Sequence, residues 1–205
     1  MTDSKAYNIA IYPPKEIRRE AVSLSNNLAR RGGLFTLDDK NIFPHVSIYM
    51  LELPIDNLEK VIFKLATICK GTKSMSAASE GIRENPDGFI DIPYVCSKEL
   101  SGFQKNVIEQ IDPLREGLIR EKDKARLATV GEAERTNILE YGYRYVGAEY
   151  VPHLSVSKLP EYKEDVLKGA ESGYNFSFSI NQIGIFELGD HGTCKKIVKL
   201  FDLLS

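Results

Sequence analysis

Two of the three histidines in the chain stand in matching surroundings, PHVSI at 44–48 and PHLSV at 152–156. A polar ring inside a run of β-branched and apolar residues needs either a hydrogen-bond partner or a chemical task. Side chains two apart on a strand leave the same face, with Cα atoms roughly 6.6 Å apart. On that alternation His45, Ser47 and Tyr49 share one face, and Val46, Ile48 and Met50 the other. His153, Ser155 and Ser157 oppose Leu154 and Val156 in the same way. Two imidazoles with ordinary pKa values of about 6.5 suit acid/base work near neutral pH, one taking a proton as the other gives one. Two serine hydroxyls can donate to the non-bridging oxygens of a phosphate. Together they fit in-line attack at phosphorus: a base behind the nucleophile, an acid behind the leaving oxygen, hydroxyls around the equator. That chemistry calls for no metal. One His-x-Ser is a weak signal, ordinarily explained by a core histidine; two in corresponding places of a repeat are a strong one.

The elements that must position these residues follow from hydrophobic periodicity. Residues 6–12 read as a strand, and Ile17, Ala21, Leu24 and Leu28 mark a helix that stops at Gly32 and Gly33. The first histidine strand runs to about Leu53. Asp56 and Glu59 suggest a capping box ahead of a helix striped by Leu58, Ile62, Leu65 and Cys69 and closed by Gly71. Strands at about 74–84 and 89–95 are joined by the turn 85–88 (NPDG). Ser97 opens a third helix, striped by Leu100, Phe103, Val107 and Ile111. The charged stretch at about 115–140 belongs to neither neighbouring unit and reads as a solvated helix or loop. After the second histidine strand come a short helix near 161–171, a long apolar strand with a bulge near Asn181, a turn at 189–192 and a last strand.

The two halves therefore repeat one order of elements: strand, helix, Pro-His-apolar-Ser strand, helix, then two strands joined by a turn. A diverged duplication with a pseudo-twofold axis brings equivalent residues face to face across one cleft. The expected fold is α+β and bilobal, with two antiparallel sheets lining a central cleft, helices outside, and residues 1–205 forming one domain of two intertwined lobes.

Composition narrows the function. With 205 residues, 42% hydrophobic and 27% charged, the chain can bury a real core and is not expected to be disordered. A net charge of -2 argues against coating long nucleic acid, which depends on many Lys and Arg contacts to phosphate. No apolar run approaches the roughly 20 residues that cross a bilayer, and residues 1–14 lack the pattern of a signal peptide. Cys69, Cys96 and Cys194 are odd in number and far apart, which suits the thiols of a cytoplasmic protein and not a disulfide framework. No HExxH or Cys/His cluster points to a metal.

With these motifs in view, the chain resembles the two-histidine (2H) phosphoesterase superfamily, which includes the 2′-5′ RNA ligase-like proteins and cyclic phosphodiesterases. Its signature is a pair of His-x-(Thr/Ser)-x motifs with apolar x, one per lobe. The resemblance covers the chain apart from the charged insertion, and departs from the common pattern in having serine at both hydroxyl positions. It implies that His45 and His153 are the acid/base pair and that Ser47 and Ser155 hold the phosphate. It implies no cofactor and no metal. The implied substrate is a nucleotide or RNA end bearing a 2′,3′-cyclic phosphate, opened to a 2′-phosphate. Action on 2′-5′-linked or other cyclic nucleotides, or nucleotide binding without turnover, are the alternatives. A monomer with no membrane partner and no extended nucleic-acid surface is expected.

Further substrate contacts are sought at Tyr49, which shares the His45 face, and at Lys158 beyond the second motif. Tyr143, Arg144 and Tyr145 interleave aromatics with a guanidinium just upstream of it. Each also has a structural explanation: core packing for the tyrosines, a solvated strand end for the lysine. His191, in a Gly-rich turn, is expected to be an exposed loop residue.

Overall fold

β1 (Ser4–Ile11) is exposed at its first residues and buried from Tyr7 onward, as a central strand should be. The computed structural model describes residues 3–161, 167 and 173–204. In it β1 lies between the first histidine strand, β2 (Val46–Pro54), and β8 (Gln182–Leu188), with β9 (Cys194–Asp202) outermost. All three pairings are antiparallel. A second sheet takes β4 (Arg83–Glu84), β5 (Phe89–Pro93) and the second histidine strand β6 (His153–Lys158), also antiparallel. β3 (Met75–Ala77) pairs with β7 (Phe178–Ile180), and a bridge from Ser79 to Tyr94 joins this pair to β5. Each histidine strand is thus the edge of its sheet, and the two edges lie against each other.

The helices are exchanged between the halves. α1 (Lys15–Ala29) buries Ile17, Ala21, Leu24 and Leu28 and packs more closely against β6 than against the strands that flank it in sequence. α3 (Lys98–Ile111), between β5 and β6, packs against β2. Ser97 caps α3 by accepting from the Leu100 amide at 3.1 Å, a contact worth about 1 kcal/mol. The capping box expected at Asp56 and Glu59 does not form. A 3-10 turn over Ile55–Asn57 delays α2 (Leu58–Lys70), and the Asn57 amide instead donates to the Leu114 carbonyl and to Glu116.

Two strand expectations change for a common reason, since each stretch serves two sheets. Residues 74–84 divide at Gly81, β3 going to β7 and β4 to β5. The long apolar strand does not bulge at Asn181 but passes there from the β3 pair into the β1 sheet, which is why its apolar parity switches. The short helix expected near 161–171 falls largely outside the described residues. The charged stretch carries α4 (Glu121–Arg126) and α5 (Glu132–Tyr141). Among the described residues no helix is long and apolar enough to cross a membrane.

The duplication extends to an irregularity. In β2, Ala10 pairs with Ser47 but Ile9 with Tyr49, so Ile48 is an extra residue. In β6, Asp91 pairs with Ser155 but Ile90 with Ser157, so Val156 is extra. Both histidine strands bulge three residues after the histidine. A bulge reverses the facing of every residue beyond it, so each strand presents only its histidine and first serine in the expected sense.

Candidate active site

Both imidazoles are tied to the backbone in the same way. His45 Nδ1 lies 2.8 Å from the Phe43 carbonyl, and His153 Nδ1 lies 2.7 Å from the Val151 carbonyl. A carbonyl only accepts, so each Nδ1 carries the proton, and Nε2 is the atom left for chemistry. The proline between carbonyl and histidine explains its presence in both motifs: it fixes its own φ and holds the preceding residue extended, which aims that carbonyl at the ring. Both rings, Ser47 and Ser155 line one cleft of about 740 Å³ between the two sheets.

The halves are not electrostatic copies. His45 is buried, and burial pushes its imidazole down to about 4, helped by the neighbouring His153 and only partly offset by the Phe43 and Gly192 carbonyls. His153 is half-buried, with the Tyr145 ring edge-on at 6.0 Å. The serines differ too. Ser47 Oγ accepts from Asn8 Nδ2 at 2.9 Å, which leaves its own proton free for a ligand. Ser155 Oγ donates to Asp91 Oδ1 at 2.6 Å, so its proton is already engaged. Asp91 is buried and also accepts from the Asn85 amide. In this arrangement one hydroxyl, not two, is free to donate to an anion.

Tyr49 is not in the cleft. The Ile48 bulge turns it into the core, where it is 0% exposed and its hydroxyl donates to Asp112 Oδ1 at 2.7 Å, with the Tyr141 carbonyl 2.8 Å away. Met50 takes its place on the cleft wall. Ser157 is turned inward by the matching bulge, and its hydroxyl donates to the Phe35 carbonyl. Its Oγ lies so close to Gly33 that a Cβ there would collide with it. Lys158 is half-buried with Nζ over the Phe89 ring at 4.6 Å and does not line the cleft. Tyr143, Arg144 and Tyr145 do line it. Arg144 stacks over Tyr145 at 4.2 Å, and Tyr143 is almost wholly buried behind. His191 is exposed and stands at the cleft rim, stacked on Phe35.

The charged stretch is the largest departure from the sequence reading. Arg115, Arg120 and Asp123 are buried. Arg115 donates to Asp112 and to the Leu118 and Glu140 carbonyls, and Asp123 pairs with both Arg120 and Arg126. Arg120, Lys122 and Arg126 line the cleft, so the insertion forms one of its walls. Asn8 and Asp91 also escape the sequence reading, although each gives the signal that marks the histidines: a polar residue within a buried apolar strand.

The architecture is the LigT-like fold, with antiparallel sheets and helices and, among the described residues, no closed barrel. Among solved structures, E. coli LigT complexed with phosphate superposes with a TM-score of 0.62 at 12% identity, over 99% of each chain. TT0787 of Thermus thermophilus gives 0.62 at 13% identity over 97% of each chain, and a phosphoesterase gives 0.62 at 11% over 99% of this chain and all of that one. E. coli LigT has also been solved with 3′-AMP and with ATP. No family model and no curated protein matches the sequence.

Proposed function

We propose that the chain is a phosphodiesterase that opens 2′,3′-cyclic phosphates of nucleotides or RNA ends to 2′-phosphates. The observation that carries this reading is the common anchoring of His45 and His153, each Nδ1 on the carbonyl two residues upstream, with both rings on one cleft. The nucleotide and phosphate complexes of E. coli LigT, which shares the fold, support a ligand of that kind.

His45, held neutral by burial, is the base: its Nε2 takes a proton from water as the water oxygen bonds to phosphorus. His153 is the acid and protonates the ribose 3′-oxygen as the P–O3′ bond breaks. Ser47, its proton left free by Asn8, donates to a non-bridging oxygen. Neither histidine needs a metal to do this.

The test is incubation with EDTA against 2′,3′-cyclic nucleotides and a short RNA ending in a 2′,3′-cyclic phosphate, with products resolved as 2′- or 3′-phosphates. The reading expects the 2′-phosphate. A 3′-phosphate product or strict dependence on added metal contradicts it. Turnover confined to 2′-5′-linked or other cyclic nucleotides moves the substrate elsewhere within the same chemistry, and binding with no turnover at all marks a non-catalytic module.

A further inference from the structure

Beyond the histidine pair, the cleft wall built by the insertion gathers cations that the proposed reaction does not use. Arg120 is 8% exposed, pairs with Asp123, and lays Nη1 on the Met50 sulfur at 3.2 Å. Its buried Nε finds no acceptor among the described residues. Arg126 pairs with the other oxygen of the same carboxylate at 3.1 Å. Lys122, between them in sequence, makes no ion pair or hydrogen bond among the described residues, although its side chain reaches solvent. Partial burial and the charges of Arg126, Arg120 and Lys158 push its ammonium down. Arg120 and Arg126 share one buried carboxylate and Lys122 has none of its own; of the other acids on the cleft, Glu121 beside them is exposed and turned to Lys124. Such a cluster is held together against its own repulsion, and an anion relieves it.

The cluster does not address the phosphate at the histidines. Arg120 meets β2 at Met50, which pairs with Asn8, two rungs from the Ala10 that pairs with Ser47, roughly 6.6 Å along a strand at about 3.3 Å per residue. From the other side, two rings intervene: Tyr145 edge-on to His153 at 6.0 Å, then Tyr143 against Tyr145 at 5.8 Å, with the Arg120 guanidinium 5.9 Å from the Tyr143 ring.

We infer that Arg120, Lys122 and Arg126 form a second anion subsite that takes another phosphate of the same substrate. On the reading that the histidine pair holds the reacting phosphate, the substrate is then a nucleotide with two separate phosphate groups, as at the end of an oligonucleotide, and not a lone cyclic mononucleotide. The subsite explains why a charged stretch is folded inward and why a lysine with no acid partner among the described residues stands on the cleft.

Calorimetric binding of adenosine 2′,5′-bisphosphate and adenosine 2′-monophosphate tests this without relying on turnover. The wild-type protein should bind the bisphosphate at least about tenfold more tightly, since charge-assisted contacts to a phosphate are strong. Lys122→Gln, which breaks no ion pair, and Arg126→Gln should bring the ratio of the two affinities close to one. Circular dichroism melts confirm that both variants are folded. A wild-type ratio near one, loss of both affinities in equal proportion in the variants, or no binding of either ligand overturns the subsite. If the ratio behaves as expected while cyclic phosphates are not opened, the subsite stands and the proposed reaction fails.

Discussion

The His45 imidazole sits at about 4 in the folded protein, chiefly through burial, whereas unfolding returns it to its ordinary value of 6.5. Above that value both states are neutral and the folded protein keeps the full benefit. As pH falls from 6.5 toward 4, the unfolded chain takes up a proton that the folded one refuses, and stability is lost. The shift corresponds to roughly 3 kcal/mol between pH 7 and pH 4. Urea unfolding at those two pH values should show His45→Gln losing that much less stability than wild type; equal losses would place the titration elsewhere. The same neutrality predicts that activity holds on the acid side well below pH 6, in the pH profile of kcat/KM. The two serines should separate as well. Ser47→Ala removes the free donor and should cost about 10²-fold in kcat, as loss of one oxyanion donor does. Ser155→Ala, whose proton is already on Asp91, should cost less than about tenfold, and a reversed order would show that Ser155 turns to the substrate. The histidine motifs are legible because polar rings are conspicuous in apolar strands. Which serine keeps its proton is not, because that depends on Asn8 and Asp91, distant in sequence.

Helix α3 links the site to the scaffold through one side chain. Gln104, buried on α3, donates to the Ile48 carbonyl at 3.0 Å and to the Tyr145 carbonyl at 2.8 Å. It thereby satisfies the carbonyl that the β2 bulge withdraws from the sheet and holds the segment carrying Tyr145 beside His153. Gln104→Leu should cost about 1–3 kcal/mol, the usual penalty for unmet buried carbonyls, read as a lower urea midpoint. It should also lower kcat at temperatures where the variant is folded; an unchanged midpoint would deny the link. The helices are well marked in the sequence, because α1 and α3 bury the stripes that their periodicity shows. The bulges are not: Tyr49 and Ser157 follow a perfect alternation in the sequence, and only the register with Ile9 and Ile90 shows the reversal. The charged stretch reads as solvated because Arg and Asp ordinarily are; the spacing of Arg120, Asp123 and Arg126 allows their pairing, but nothing in it shows that Arg120 and Asp123 are buried.

Across the whole molecule, the repeat of two PHxS motifs is enough to indicate two facing lobes, since equivalent edges of a duplicated unit must meet. The exchange of α1 and α3 between sheets is beyond reach, because both arrangements bury the same stripes. Charge is deceptive in a similar way. The net charge of -2 conceals a cationic wall on the cleft. Salt should therefore raise KM for a phosphate-bearing substrate a few-fold on going from low to high ionic strength, with little change in melting temperature. The slope should stay far below that of a protein making many phosphate contacts along a duplex. A KM insensitive to salt would remove the wall from substrate binding.

Whether two histidines from two halves act as one unit on one phosphate is decided by the rate of 2′,3′-cyclic phosphate opening in wild type, His45→Ala, His153→Ala and the double variant, all shown to be folded. If they work in concert, each single change should lower kcat by about 10²–10⁴, and the double variant should be little worse than either. A single variant that keeps more than a tenth of the wild-type rate would contradict the paired mechanism.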